Sequence, residues 1–343
     1  MTTDIRDLSF AELFAVLAGW GEPDFRAEQV FGWLYRKRAP EFSGFTDLPR
    51  PLRERLAGSY SLRPMEALEI RTSADGTSKT LFRLADGNLI ETVFIPSGER
   101  RTICLSTQAG CKFACAFCAS GLGGFHRNLT PAEILGQVLS LRDSLDIELT
   151  NLVFMGMGEP LDNFDNVEQA IRILNDPRGF GFAARRITVS TSGLVPGIER
   201  FGGLDLQVNL SVSIHAADDE MRSRLMPINR RYPLAALIEA CEKYLAEGGR
   251  KITFEYALLK GVNDRTTDAE RLAKLARRLR AKVNLIAFSP AAGLPFDRPD
   301  RAAVGEFARR LKSRGIQATV RNSKGGDIQA ACGQLSGARS AAP

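Results

Sequence analysis

The sequence predicts an α/β protein: an open or partial barrel of parallel strands wrapped by helices, preceded by a small helical domain and a strand-rich connector. Three observations predict it. Residues 1–62 carry helical periodicity alone, residues 63–100 break into short strand-like runs separated by turns, and residues 101–335 alternate apolar β-rich runs with amphipathic stretches. The alternation decides the class, because parallel strands need crossover connections and read as apolar runs when both faces are covered. A chain of 343 residues that is 44% hydrophobic can bury one large core and a smaller appended one.

Taken in order, Phe10, Leu13 and Leu17, then Val30, Trp33 and Leu34, recur at helical spacing on either side of a break at Gly21-Glu22-Pro23. The runs 80–84 and 90–95 follow, bounded by Ala-Asp-Gly and Pro-Ser-Gly turns. Strands are then expected at 102–106, 152–155, 187–190, 208–214, 252–258, 283–288 and 318–320, and helices at 131–145, 164–175, 232–247, 267–281 and 301–314. Residues 336–343 read as a loose tail. No stretch is long and apolar enough for a membrane span, and the N-terminus lacks a leader pattern, so a cytoplasmic protein is expected.

Lys and Arg exceed Asp and Glu by 46 − 40 = 6, and a pI near 9.1 suits an anionic partner such as RNA without demanding one. The cysteines say more. Cys104, Cys111, Cys115 and Cys118 fall within fifteen residues while Cys241 and Cys332 stand apart, a metal or redox pattern and not a disulfide framework. Cys111-x3-Cys115-x2-Cys118 follows an expected strand, so its thiols would gather at the carboxyl edge where α/β folds bind ligands. Three cysteines can hold three irons of a [4Fe-4S] cluster and leave the fourth iron open. A structural zinc site with His126 or Cys104 as fourth ligand is the alternative on spacing alone. Cys241, in an amphipathic stretch, reads as an inert core thiol.

The spacing, with Phe117 before the last cysteine, resembles the radical S-adenosylmethionine (SAM) signature. Several further segments resemble the RlmN/Cfr family of radical SAM ribosomal RNA adenine methyltransferases. They are Cys104-Leu-Ser-Thr-Gln-Ala-Gly-Cys111, Gly124-Phe-His-Arg-Asn-Leu129, Met155-Gly-Met-Gly-Glu-Pro-Leu161, Met226-Pro-Ile-Asn229 and Asp327-Ile-Gln-Ala-Ala-Cys-Gly-Gln-Leu335. The match spans Leu8 to Leu335 and implies a partial (β/α)6-type radical SAM barrel, with Cys111, Cys115 and Cys118 holding a [4Fe-4S] cluster and two SAM molecules used per turnover.

Adenine C2 and C8 lie between nitrogens and are poor nucleophiles, so methylation there calls for a radical and a carbon donor. The resemblance implies Cys332 as a thiol that takes a methyl from one SAM and presents it for radical formation by the other. It implies Cys104 as the thiol that resolves the protein–RNA link, leaving a Cys104–Cys332 disulfide, and Glu91 as the proton acceptor. A carboxylate in an apolar strand could have its pKa raised for that task.

SAM contacts carried over are Gly158, Glu159, Ser190, Ser213, Ile214 and His215, with the glycines allowing close backbone approach and Glu159 accepting from the amino group. At Ser289 the family usually has asparagine. The implied substrate is an adenosine of 23S ribosomal RNA, with transfer RNA as a second target and C2 favoured over C8. A one-electron donor such as flavodoxin or ferredoxin and a monomeric state are further expectations.

The adenine must leave its stack to enter the barrel mouth. The helical domain and the pairs Arg185-Arg186 and Arg230-Arg231 are candidates for gripping phosphates, whereas Arg271, Lys274, Arg277, Arg278 and Arg280 read as a solvated helix face. A zinc-stabilised RNA-binding protein has no need of Cys332, and a radical SAM activase acting on a protein glycine needs neither Cys104 nor Cys332.

Overall fold

The computed structural model describes residues 2–145 and 147–337. The N-terminal unit comprises α1 (Phe10–Gly19), α2 (Phe25–Gly32), a π-helical turn Trp33–Lys37, and α3 (Arg50–Ser59). A capping box starts α1: Glu12 N donates to Ser9 Oγ at 3.2 Å and Ser9 N to Glu12 Oε2 at 2.8 Å. Leu13, Leu17, Val30 and Phe31 turn inward and are buried. The unit is fastened to the rest by an aromatic chain, with ring centroids 4.7 Å apart for Phe31–Tyr35 and 5.1 Å for Tyr35–Phe180.

Next come β1 (Glu66–Thr72), β2 (Ser78–Arg83), β3 (Leu89–Ser97) and β4 (Arg100–Cys104), an antiparallel meander. A short hairpin, β5 (Gln108–Gly110) and β6 (Phe125–Asn128), then frames the cysteine loop. From β4 the chain alternates: α4 (Pro131–Leu145), β7 (Asn151–Phe154), α5 (Phe164–Asn175), β8 (Ile187–Thr191), α6 (Val195–Gly202), β9 (Asn209–Ser213), α7 (Asp219–Leu225), α8 (Leu234–Ala246), β10 (Thr253–Leu258), α9 (Thr266–Arg278), β11 (Lys282–Ala287), α10 (Arg301–Ser313) and β12 (Ala318–Arg321).

Among the described residues one ten-stranded sheet runs β1-β2-β3-β4-β7-β8-β9-β10-β11-β12, parallel from β4 onward. The expected α/β barrel with a helical N-terminal region is therefore present, and β1–β3 extend its sheet. The seven expected strands and five expected helices of the barrel all form. The short helices α6 and α7 and the β5–β6 hairpin lie outside the expected elements, because each is shorter than the run needed to establish a periodicity.

The two sheet faces differ. Outward residues such as Ile103, Leu152, Val189, Val212, Phe254 and Leu285 are fully buried and face the covering helices, as where Tyr256 meets Phe307 of α10 at 5.4 Å. The inward face carries polar residues, with Ser190, Ser211, Ser213, Glu255 and Asn284 in neighbouring registers, alongside Val153, Ala257 and Ile286. The barrel is an open, polar-walled cleft instead of a packed core.

After β12 the chain crosses back over the open side. Ser73 Oγ donates to Asp327 Oδ1 at 2.6 Å, Lys79 Nζ to Gln329 O at 3.1 Å, Ala119 N to Gly333 O at 2.7 Å and Ser120 Oγ to Leu335 O at 2.7 Å. This strap ties β12 to β1, β2 and the cysteine loop. Of the tail expected from 336, only Ser336 and Gly337 are described; they donate backbone N–H groups to Glu91, and the remainder lies outside the described residues.

Candidate active site

Cys111, Cys115 and Cys118 occupy the hairpin loop between β5 and β6. Gly110 makes the turn possible: its φ is +75°, and a Cβ there would lie 1.9 Å from Gly124 O. Cys111 N donates to Gly124 O at 2.9 Å, and Ala116 N donates to Leu225 O at 2.9 Å, docking the loop on the end of α7. Phe117 packs with Leu225, Met226, Ile228 and Phe288 in an apolar cluster that also touches Cys115 and Cys118.

All three thiols are free. Burial pushes Cys111 up to about 12 and raises Cys115 and Cys118, and the charges of Cys118 and Cys111 raise Cys115 further, so the three share one electrostatic neighbourhood. Such thiols lose their protons when a metal takes the proton's place. Three thiols on one loop can each bind a separate iron of a [4Fe-4S] cluster, so the donor set fits that group.

Cys104 ends β4 on the cleft face, paired in register with Val93. It is 6% exposed; burial and the nearby Cys332 raise its thiol above the ordinary range. Cys332 sits in the strap, fixed by Ala331 N donating to Gln334 Oε1 at 3.0 Å and Gln334 Nε2 donating to Pro290 O at 2.7 Å. Its side chain meets solvent in the cleft mouth, yet enough protein surrounds it to push the thiol up to about 11, with Glu255 and Cys118 adding to burial. Both are free thiols, and the disulfide implied as the end state is absent from this structure.

Glu91 does not sit in the apolar surroundings expected of it. Lys79 Nζ lies 2.7 Å from its Oε1, and Ser336 N and Gly337 N donate to Oε2 at 2.7 and 3.0 Å. Lys79 went unnoticed in the sequence because only the β2–β3 register brings it to Glu91.

The glycines after β7 also permit a close approach within the chain itself. A Cβ on Gly158 (φ +98°) would meet Gln108 Cβ at 2.6 Å and N at 2.8 Å, and one on Gly156 would meet Leu105 O at 2.7 Å. They let the β7 loop press against the chain leaving β4. The Glu159 carboxylate is largely committed: Leu161 N donates to Oε1 at 3.1 Å, and Ser192 N and Oγ donate to Oε2 at 2.7 and 2.8 Å. Three of about four acceptor positions thus tie the end of β7 to that of β8, although burial still raises its pKa.

Ser190 and Ser213 point into the cleft and are half-buried, and Ile214 is buried beside them. His215, at φ +49°, accepts at Nδ1 from Ala257 N at 2.8 Å and meets the Phe117 ring edge-on at 4.5 Å. Burial and Arg222 push its pKa down to about 3, so the ring is neutral with its proton on Nε2. Ser289, just past β11, is buried and its Oγ has no hydrogen-bond partner; an orphaned hydroxyl at this edge fits a polar ligand of SAM type.

Glu255 also enters the cleft wall, accepting from Ser211 Oγ at 3.1 Å and Asn284 Nδ2 at 3.0 Å, with its pKa raised by burial. An acid inside the apolar run 252–258 was the readable signal for it. Of the basic pairs, Arg230-Arg231 lies beyond β9 on the mouth side, but Arg185-Arg186 precedes β8 and so lies at the opposite end. Cys241 is fully buried on α8, as expected.

The chain matches the radical SAM superfamily over residues 105–276 and the ribosomal RNA large subunit methyltransferase N-terminal domain over 3–62. It is 49% identical to a probable dual-specificity RNA methyltransferase RlmN of Heliobacterium modesticaldum, covering 98% of this chain and 90% of that one. It is 46% identical to the dual-specificity RNA methyltransferase RlmN of Geotalea uraniireducens, covering 97% and 96%. The crystal structure of a radical SAM methyltransferase from Sphaerobacter thermophilus superposes with a TM-score of 0.93 at 47% identity, covering 98% of this chain and all of that one. A three-thiol loop at the mouth of a polar-walled barrel, an N-terminal unit of this type and relatives matching end to end agree: the chain belongs to the RlmN family of radical SAM RNA methyltransferases.

Proposed function

We infer that this protein methylates C2 of an adenosine in 23S ribosomal RNA, and in transfer RNA as a second substrate, using a [4Fe-4S] cluster and SAM. The observation that carries the reading is that Cys332, held in the strap, lies near both Cys104 at the end of β4 and Cys118 of the three-thiol loop, whose Ala119 N donates to Gly333 O. When bound, the cluster supplies an electron to SAM, and SAM supplies both the methyl and the radical.

Cys111, Cys115 and Cys118 hold the cluster, while Gly158, Glu159, Ser190, Ser213, Ile214, His215 and Ser289 surround SAM. Cys332 carries the methyl as a thioether, with its sulfur reaching the solvent-filled mouth where a flipped adenine enters. Cys104, screened from solvent, attacks the Cys332 sulfur: the S–S bond forms as the bond from that sulfur to the transferred carbon breaks, and the carbon keeps the electron pair and takes a proton to become the product methyl. Glu91 accepts the proton released from the adenine ring, its position set by Lys79 and two backbone amides. The helical unit 1–62 and Arg230-Arg231 bind RNA phosphates. The protein works as a cytoplasmic monomer supplied by a flavodoxin- or ferredoxin-type donor; no helix among the described residues is long and apolar enough to cross a membrane.

Anaerobic reconstitution with iron and sulfide, then incubation with methyl-labelled SAM, reductant and a ribosomal RNA fragment, tests this by nucleoside mass spectrometry. Wild type should yield 2-methyladenosine, Cys332→Ala none, and Cys104→Ala a protein-linked RNA. Methyladenosine formed by Cys332→Ala would refute the carrier role, and 8-methyladenosine would reassign the base carbon.

A further inference from the structure

Among the described residues, Arg222 is a buried cation whose guanidinium is hydrogen-bonded to no acid. Arg222, on α7, has no exposed surface. Its Nε donates to Ile214 O at 3.2 Å, Nη1 to Asn229 Oδ1 at 2.8 Å, and Nη2 to Ser192 O at 2.7 Å and Ser213 O at 3.2 Å. All four acceptors are neutral. Asp219, one turn away, has its Oδ1 taken by Asn229 Nδ2 at 2.9 Å and Leu234 N at 2.8 Å. A charge buried on neutral dipoles is costly and calls for a compensating role.

The surroundings indicate that role. Three residues beyond Arg222, Leu225 O accepts from Ala116 N, next to Cys115. The apolar cluster of Phe117, Leu225, Met226 and Phe288 packs against both Cys115 and Met221, the neighbour of Arg222, and in such low-dielectric surroundings a fixed charge acts strongly. Electrostatic coupling of Arg222 to the Cys115 sulfur and to His215 is consistent with this placement. Burial pushes the guanidinium down to about 10, which leaves it charged at neutral pH. The Met226-Pro-Ile-Asn229 segment also gains a purpose, since Asn229 holds Arg222 in place.

We propose that Arg222 is a positioning residue for the iron–sulfur cluster, a fixed positive charge behind Cys115 that favours the reduced cluster and so sets its potential. The proposal rests on the reading of Cys111, Cys115 and Cys118 as cluster ligands. A cluster held by three thiolates is net negative and becomes more so on reduction, so a nearby cation stabilises the reduced form more than the oxidised one.

Wild type, Arg222→Lys, Arg222→Met and Asn229→Ala are reconstituted anaerobically, assayed for iron, and titrated redox-wise with electron paramagnetic resonance as the readout. The Met variant should show a lower midpoint potential and a smaller fraction reduced at a given reductant strength. The Lys variant should stay near wild type, as should Asn229→Ala, which loosens the guanidinium but keeps its charge. An unchanged potential in the Met variant overturns the proposal. So does an Asn229→Ala shift as large as that of Met, which would assign the effect to packing. If the Met chain fails to fold by circular dichroism, Arg222→Gln takes its place: its potential must fall while that of Lys does not. Failure of the underlying reading looks different, because wild type would then take up no cluster and Cys115→Ala would change nothing.

Discussion

Methionine in place of Lys79 probes how the strap and the antiparallel edge are held around the cleft. Lys79 Nζ and Glu91 Oε1 are 2.7 Å apart, and their side chains are 6% and 2% exposed. At an effective dielectric of about 20 the gross attraction at that separation is about 6 kcal/mol, much of it offset by desolvation of both ions. Removing the lysine alone leaves Glu91 desolvated without its cation, a loss of about 3–5 kcal/mol. The lower end is expected, because the Ser336 and Gly337 amides still donate to Oε2. Lys79→Met should therefore cost about 3 kcal/mol in urea unfolding of the metal-free chain, and lower Tm by about 6 °C at roughly 2 °C per kcal/mol for a chain of this size. Adding Glu91→Gln should restore most of that loss, since the unpaired charge is gone. Lys79 also holds Gln329 O in the strap, so the single variant should slow methyl transfer to Cys332, read by intact-protein mass spectrometry. A coupling energy below about 0.5 kcal/mol in the double-mutant cycle would refute the argument.

Gly158→Ala forces a Cβ against the Gln108 backbone N at 2.8 Å with φ at +98°. It should cost more than about 2 kcal/mol in unfolding, whereas Gly123→Ala, with nothing within 4 Å, should stay within about 0.5 kcal/mol; equal effects would show that close approach does not matter at Gly158. His215 makes the metal-free chain acid-sensitive. Its folded pKa is depressed to about 3, so the unfolded chain binds the proton first, and stability present above about pH 6.5 is lost as pH falls toward 3, by up to about 4–5 kcal/mol. Urea unfolding across that range should show a shallower pH slope in His215→Gln, and an unchanged slope would refute the buried neutral ring.

The sequence alone determined the architecture, and its resemblance to a known family supplied the chemistry. Parallel strands covered by helices leave apolar runs such as 283–288 alternating with amphipathic stretches such as 164–175, because burial on two faces and burial on one stripe write different periods into the chain. Cys111, Cys115 and Cys118 were legible as candidate ligands because ligands drawn from one loop must lie close in sequence. What the tertiary structure decided were partnerships between distant elements. Lys79 meets Glu91 only through a strand register, and Arg222 lies in a seven-residue charged helix whose burial no pattern announces. Arg185-Arg186 and Arg230-Arg231 look alike as sequence, yet strand direction sends them to opposite ends of the barrel. Gly158 was legible as a glycine that permits close approach, and the structure adds that a Cβ there would also strike Gln108. Periodicity records how each element faces the core; which buried charge finds a partner depends on long-range closure of the sheet, which no local pattern encodes.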